Sequence, residues 1–167
     1  LIRSAVDIIA GRVPVLVGTG QSGTQKTIEQ CLIAQDAGAD ALLVVTPPYV
    51  RPTQEGLRQH FEAVANAVDI PVVLYNVPSR TGVDMQPETV AKLVAHPRII
   101  AIKEAFTGNS RMEKLLALRS EQFSVLSGDD ETACQAQLLG ADGVISVVSN
   151  LVPATFRALC KLSRKGN

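Results

Sequence analysis

Short apolar runs alternate with helix-period segments along this chain, and no tight hairpin turn separates one run from the next. The runs fall at residues 13–17, 41–45, 72–75, 99–102, 123–126 and 143–148. Each is β-branched or otherwise apolar on both faces, the pattern of a strand covered from both sides in a parallel sheet. Parallel neighbours need a crossover, and the intervening segments carry helix start signals. Thr24, Thr53 and Asp129 stand where an N-cap belongs, Pro87 and Pro153 where a first helical turn begins, and Ser110 with Glu113 in the spacing of a capping box. Gly38 and Gly140 sit just past the last turn of their segments, where a left-handed cap is expected. The opening stretch SAVDIIAG reads as a further helix.

A helix followed by six βα units is an α/β pattern. An open doubly wound sheet is satisfied by six strands, whereas a closed (β/α)8 barrel needs eight and usually about 250 residues. The length of 167 residues, taken alone, favours the open sheet.

Charge then narrows the partners. Sixteen basic residues balance 16 acidic ones, so the formal charge is zero, and 46% of the chain is hydrophobic. That composition lacks the basic excess that grips nucleic acid or an anionic membrane, and it is too apolar for a disordered segment. No apolar run approaches the roughly 20 residues of a membrane helix, and residues 1–11 show no signal-peptide pattern. Neither nucleic acid nor membrane is expected as a partner, and the expected compartment is the cytoplasm. Three scattered cysteines, Cys31, Cys134 and Cys160, fit neither a metal cluster nor a disulfide framework and read as small core hydrophobes.

Gly18, Gly20 and Gly23 spell a G-x-G-x-x-G between a strand and a helix, the context of a dinucleotide-binding turn. The acidic residue that binds the ribose is missing, because the next strand ends Val45-Thr46-Pro47-Pro48. A tight βα turn is the better reading.

In parallel α/β folds the chemistry sits at the carboxyl ends of the strands. Here those ends offer Thr46 and Tyr49, Tyr75 and Asn76, Lys103 and Glu104, Ser127 and Gly128, and Ser146. Lys103 closes the apolar run IIAI on the face of Ala101, so an amine is expected at the end of a buried strand. Burial lowers a lysine pKa and leaves a free amine able to attack a carbonyl. Pairing of Lys103 with Glu104 at the rim is the alternative. Tyr75 ends the preceding run, where a phenol could relay protons for an imine-forming amine, and Arg80 in the following loop could grip a carboxylate. His60 and His96 lie away from strand ends and read as structural or solvent-facing. Asp129 and Asp130 could pair on a metal, but as residues opening a helix they read as ligands of N–H groups, and no metal is assigned.

The stretches VPVLVGTG, VVTPPYVRPTQEGLRQHF, PVVLYNVPSRTG, IIAIKEA, VLSGDD and GADGVISVVSN span nearly the whole chain. In this order they resemble the dihydrodipicolinate synthase (4-hydroxy-tetrahydrodipicolinate synthase) family of the pyruvate-dependent Schiff-base aldolase superfamily. The resemblance implies a (β/α)8 TIM barrel and reverses the preference for an open sheet. Only part of the barrel is expected here, strands three to eight, with residues 1–152 forming a partial barrel and 153–167 its last helix and the start of a C-terminal helical segment. It also implies roles. Lys103 resembles the lysine that condenses with pyruvate, Tyr75 a proton-relay tyrosine, and Tyr49 the relay tyrosine that crosses a dimer interface. Arg80 resembles the arginine that receives the carboxylate of aspartate semialdehyde, while Gly128 and Ile145 resemble residues lining the pyruvate pocket. No cofactor is implied, and a homotetramer built as a dimer of dimers is.

Two departures from the family pattern stand out. Pro48 replaces an aromatic that often precedes the relay tyrosine, and Lys26 replaces an acidic residue that binds the amine of inhibitory lysine. The second predicts weak lysine inhibition. A Gly-Thr-Thr-Gly-Glu stretch used by the family does not occur here, so this chain alone is expected to be inactive. A sister aldolase acting on sugar acids and a catalytically inactive homologue are the rival readings; Arg80 after Pro78-Ser79 favours the synthase.

Overall fold

The computed structural model describes residues 1–105 and 108–165. Its six strands are β1 (Leu16–Gly18), β2 (Ala41–Val45), β3 (Val72–Asn76), β4 (Ile99–Glu104), β5 (Ser124–Ser127) and β6 (Gly143–Val144). All neighbours pair in parallel, in the order β1-β2-β3-β4-β5-β6. A doubly wound sheet reverses its strand order at a switch point, and this sheet does not. With crossovers of one hand, consecutive order places the helices on one side and curls the sheet into an arc of a barrel. The length-based expectation of an open sheet therefore fails, and the partial barrel is what is found.

The helices are α1 (Ile2–Ile9), α2 (Thr24–Asp36), α3 (Gln54–Ala67), α4 (Pro78–Thr81), α5 (Pro87–Leu93), α6 (Asn109–Leu116), α7 (Ala133–Leu138) and α8 (Pro153–Ser163). Alternation along the strands sends Leu42, Val44, Leu74, Ile102 and Val125 outward, where all are fully buried. They meet Leu57, Phe61 and Val64 of α3, Val90 and Leu93 of α5 and Leu115 of α6 in one apolar core. Inner-face residues such as Ala41, Leu43 and Val45 are only half-buried, because they face the hollow of the arc. The expectation of cover on both faces holds at the centre of the sheet, where inner-face Val73 and Ala101 are also buried, and fails along β2.

The edge strands are shorter than their apolar runs. Val15 N donates to Asp40 Oδ2 at 2.7 Å rather than to the backbone of β2, so β1 starts at Leu16. The run at 143–148 yields a strand of two residues, because Asp130 Oδ2 accepts from Val147 N and Val148 N at 3.0 Å each and draws the chain into a 3-10 turn, Val148–Asn150. Thr53 caps α3 through a bond from Gly56 N. Thr24 does not cap α2, which starts one residue earlier than that role requires; its hydroxyl meets His60 Nδ1 at 2.9 Å instead. Ser110 lies inside the first turn of α6, whose N-cap is Gly108, so the capping box does not form. Asp129 precedes α7 by a turn, its Oδ2 accepting from Thr132 N and Oγ1.

Candidate active site

Sheet pairing decides which strand-end groups meet. Tyr75 and Lys103 are register partners on β3 and β4. Residues level across a parallel sheet share a face, and Lys103 Nζ lies 4.0 Å from the centroid of the Tyr75 ring. Lys103 is only 7% exposed. Among the described residues it makes no hydrogen bond and no ion pair. Burial pushes its pKa below the ordinary lysine value; the Arg80 cation adds to that depression and Asp130 opposes it. The Tyr75 phenol is pushed up by burial, with Arg80 acting in the opposite sense.

Glu104, the alternative partner of Lys103, points through the opposite face of the sheet. There its side chain is wholly buried and paired with Arg111 at 3.0 Å. The rim-pair alternative fails because consecutive strand residues face opposite ways.

Gly128 packs directly against the Lys103 side chain. A Cβ placed on it would stand 2.9 Å from both Cγ and Cε of Lys103 and 3.1 Å from Ala105 Cβ, so a bare backbone is what lets the lysine side chain extend. Ile145 continues the ladder beyond β6, its N–H bonded to Ser127 O at 2.9 Å. Arg80 is exposed on α4 and lines a cleft of about 360 Å³ with Tyr75, Val45 and Pro48.

Tyr49 stands apart from this group. It is 91% exposed, and its φ of 74° is a left-handed conformation that non-glycine residues seldom adopt. The loop holding it is stitched to the Arg80 loop: Tyr49 N donates to Thr81 O at 3.0 Å, and Thr46 Oγ1 to Thr81 Oγ1 at 3.2 Å. Arg51 lies over Gly82, where a Cβ would come within 3.1 Å of its Nε.

Of the three glycines in the G-x-G-x-x-G, Gly20 alone meets a steric demand. A Cβ there would lie 2.6 Å from Val45 N, whereas Gly18 and Gly23 face open space. The motif serves a close approach between the β1 loop and the end of β2. His60 is buried in an edge contact with Phe61, and His96 is bonded to Asn66 at the surface, both structural as expected. Cys31 is a core residue; Cys134 and Cys160 are half-buried, so the core reading fits only the first. Among the described residues no group of three or more His, Cys, Asp and Glu side chains could hold a metal ion. No described helix is long and apolar enough to cross a membrane.

Asp84 and Arg111 have no place in the strand-end reading, yet both belong to the cluster behind the site. Period-2 alternation in IIAIKE already turns a carboxylate toward the helices, and a buried carboxylate calls for a cation.

The family model described as the dihydrodipicolinate synthetase family matches residues 1–167. The chain belongs to that family. Among curated relatives, the 4-hydroxy-tetrahydrodipicolinate synthase of Xanthomonas campestris is 59% identical over 166 residues, covering 99% of this chain and 55% of the relative. The enzyme of the same name from Stenotrophomonas maltophilia is 60% identical over 163 residues, covering 98% and 55%. Among solved structures, the chloride-inhibited dihydrodipicolinate synthase of Acinetobacter baumannii complexed with pyruvate superposes with a TM-score of 0.95 at 43% identity, covering 99% of this chain and 57% of that one. This member of the synthetase family thus spans a little over half the length of the relatives it matches.

Proposed function

We propose that Lys103 is the amine on which pyruvate condenses with L-aspartate 4-semialdehyde, the committed step toward diaminopimelate and lysine, in the full-length protein that carries this chain. The observation that supports it most is a desolvated lysine stacked on a strand-end tyrosine. The similar enzyme of Acinetobacter baumannii, whose structure was solved with pyruvate, lends the substrate class.

The chemistry follows from the free amine. Lys103 Nζ adds to the C2 carbonyl carbon of pyruvate, and the carbinolamine loses water to give a protonated imine. The imine nitrogen then accepts the electron pair left when a methyl proton departs. The resulting enamine carbon attacks the aldehyde of the second substrate, whose carboxylate Arg80 holds. Attack of that substrate's own amine on the imine carbon closes the ring and releases Lys103. Tyr75 carries protons between these stages, and Gly128 and Ile145 shape the pyruvate end. No cofactor is needed, since the imine is the electron sink.

Tyr49 is assigned to a partner's site across a dimer interface in a cytoplasmic homotetramer. Its exposure and left-handed backbone support that assignment. Lys26 is exposed on α2, and a cation there repels an effector amine, so millimolar lysine should leave turnover nearly unchanged. The deciding experiment is borohydride reduction of the full-length protein with pyruvate. A stable adduct mapping to Lys103, lost in Lys103→Ala, is expected; an unmodified Lys103 refutes the assignment.

A further inference from the structure

We infer that Glu104 and Arg111, with Asp84 and Asn76, are positioning residues for the reactive amine: a buried clamp on the outer face of β3 and β4 that fixes the lysine-on-tyrosine geometry of the inner face. This inference rests on the proposed function of Lys103.

The clamp occupies the next rung of the same ladder. Tyr75 pairs with Lys103, and one residue on Asn76 pairs with Glu104. Asn76 Nδ2 donates to Glu104 Oε1 at 3.0 Å and to Asp84 Oδ1 at 2.9 Å, while its Oδ1 accepts from Met85 N at 3.0 Å. Arg111 donates through Nε to Glu104 Oε2 at 3.0 Å, through Nη1 to Asp84 Oδ2 at 3.1 Å and through Nη2 to Met85 O at 2.5 Å. The Arg111 guanidinium on α6 therefore ties the end of β4, and the Asn76 amide the end of β3, to the segment that leads into α5.

Two observations turn this from packing into positioning. First, the β3–β4 register is irregular at its other end, shifting between Val72 and Val73. The amino-terminal half of the ladder therefore does not by itself fix which residues lie level at the carboxyl end. A slip of one residue there would turn Lys103 toward the helices and bring Glu104 into the hollow. Second, a buried ion pair repays little more than its own desolvation, and apolar packing holds strands as well. What directional bonds add is a fixed rung, and an error of about 1 Å at a reacting group costs on the order of a hundredfold in rate.

The test is the pH dependence of borohydride trapping with pyruvate in the full-length protein. Glu104→Gln and Arg111→Met should slow trapping at neutral pH by about tenfold or more. They should also raise the pH at which trapping reaches half its plateau, as water enters and the amine returns toward ordinary lysine behaviour. Arg111→Lys keeps the charge and should recover part of the loss, and the surface variant Glu55→Gln should match wild type. Should either single variant fail to fold, the apolar pair Glu104→Met/Arg111→Met supplies the same reading, since it leaves neither member of the pair charged. Folded variants with wild-type trapping rate and midpoint overturn the clamp. A wild-type protein that forms no adduct overturns instead the function on which the clamp rests.

Discussion

The two faces of β3 and β4, one residue apart, treat charge in opposite ways. On the outer face a guanidinium meets two carboxylates, both of which also accept from the Asn76 amide, and each charge has a partner. On the inner face an amine of similar burial lies against a phenol ring with no carboxylate bonded to it among the described residues. Pairing makes a buried charge stable and chemically quiet, whereas withholding the partner depresses the amine's pKa and leaves it nucleophilic. Neighbouring residues of one sequence, Lys103 and Glu104, are divided between these fates by strand alternation alone.

The sharpest way to break this contrast is to keep the ring and remove its hydroxyl. Tyr75→Phe preserves the face beneath the amine but deletes the proton relay, so imine formation should fall by roughly 10² to 10³ in rate with little change in stability. Single-turnover trapping alongside thermal unfolding would check it. A rate near wild type would reduce Tyr75 to a packing surface. Next in size, Gly128→Ala places a methyl within 2.9 Å of the Lys103 stem. The displaced amine should trap pyruvate about ten to a hundred times more slowly, and mass mapping at Lys103 would show whether the lesion is in rate or in site.

The smallest effect separates burial from reactivity. His60 is as buried as Lys103, and desolvation lowers its pKa from 6.5 to about 4. Between those values the unfolded chain binds more protons than the folded one, so stability rises with pH through that window and is lost as pH falls through it. His60→Gln should flatten this slope by roughly 1–2 kcal/mol, read from urea midpoints at pH 7 and pH 5, and leave trapping unchanged. A change in trapping would show that burial anywhere near the core feeds the site, contrary to the contrast drawn between the faces.

Much of this was legible beforehand at particular residues. The runs at 41–45, 72–75 and 99–102 became β2, β3 and β4 nearly as bounded, since long β-branched stretches leave little choice. The runs at 13–17 and 143–148 shortened because the Asp40 and Asp130 carboxylates take backbone N–H groups that would otherwise extend the ladder. Ser110 and Glu113 match a capping box in spacing but not in place, because the helix begins before Ser110. Lys103 betrayed itself as a charge closing an apolar strand. Arg111 did not, since nothing in the local pattern of α6 distinguishes a cation bound for the sheet from one bound for water.

By itself the sequence determined the alternation of strands and helices, the face on which each strand residue lies and the family to which the chain is similar, because these depend on short-range periodicity and on residues in order. The tertiary structure decided the rest: the curl of the sheet, the level pairing of Tyr75 with Lys103, the clearance that Gly128 gives the amine and the meeting of Asp84, Glu104 and Arg111. Each of these joins residues from different strands and helices, and such meetings are set by register and packing, which no local pattern encodes.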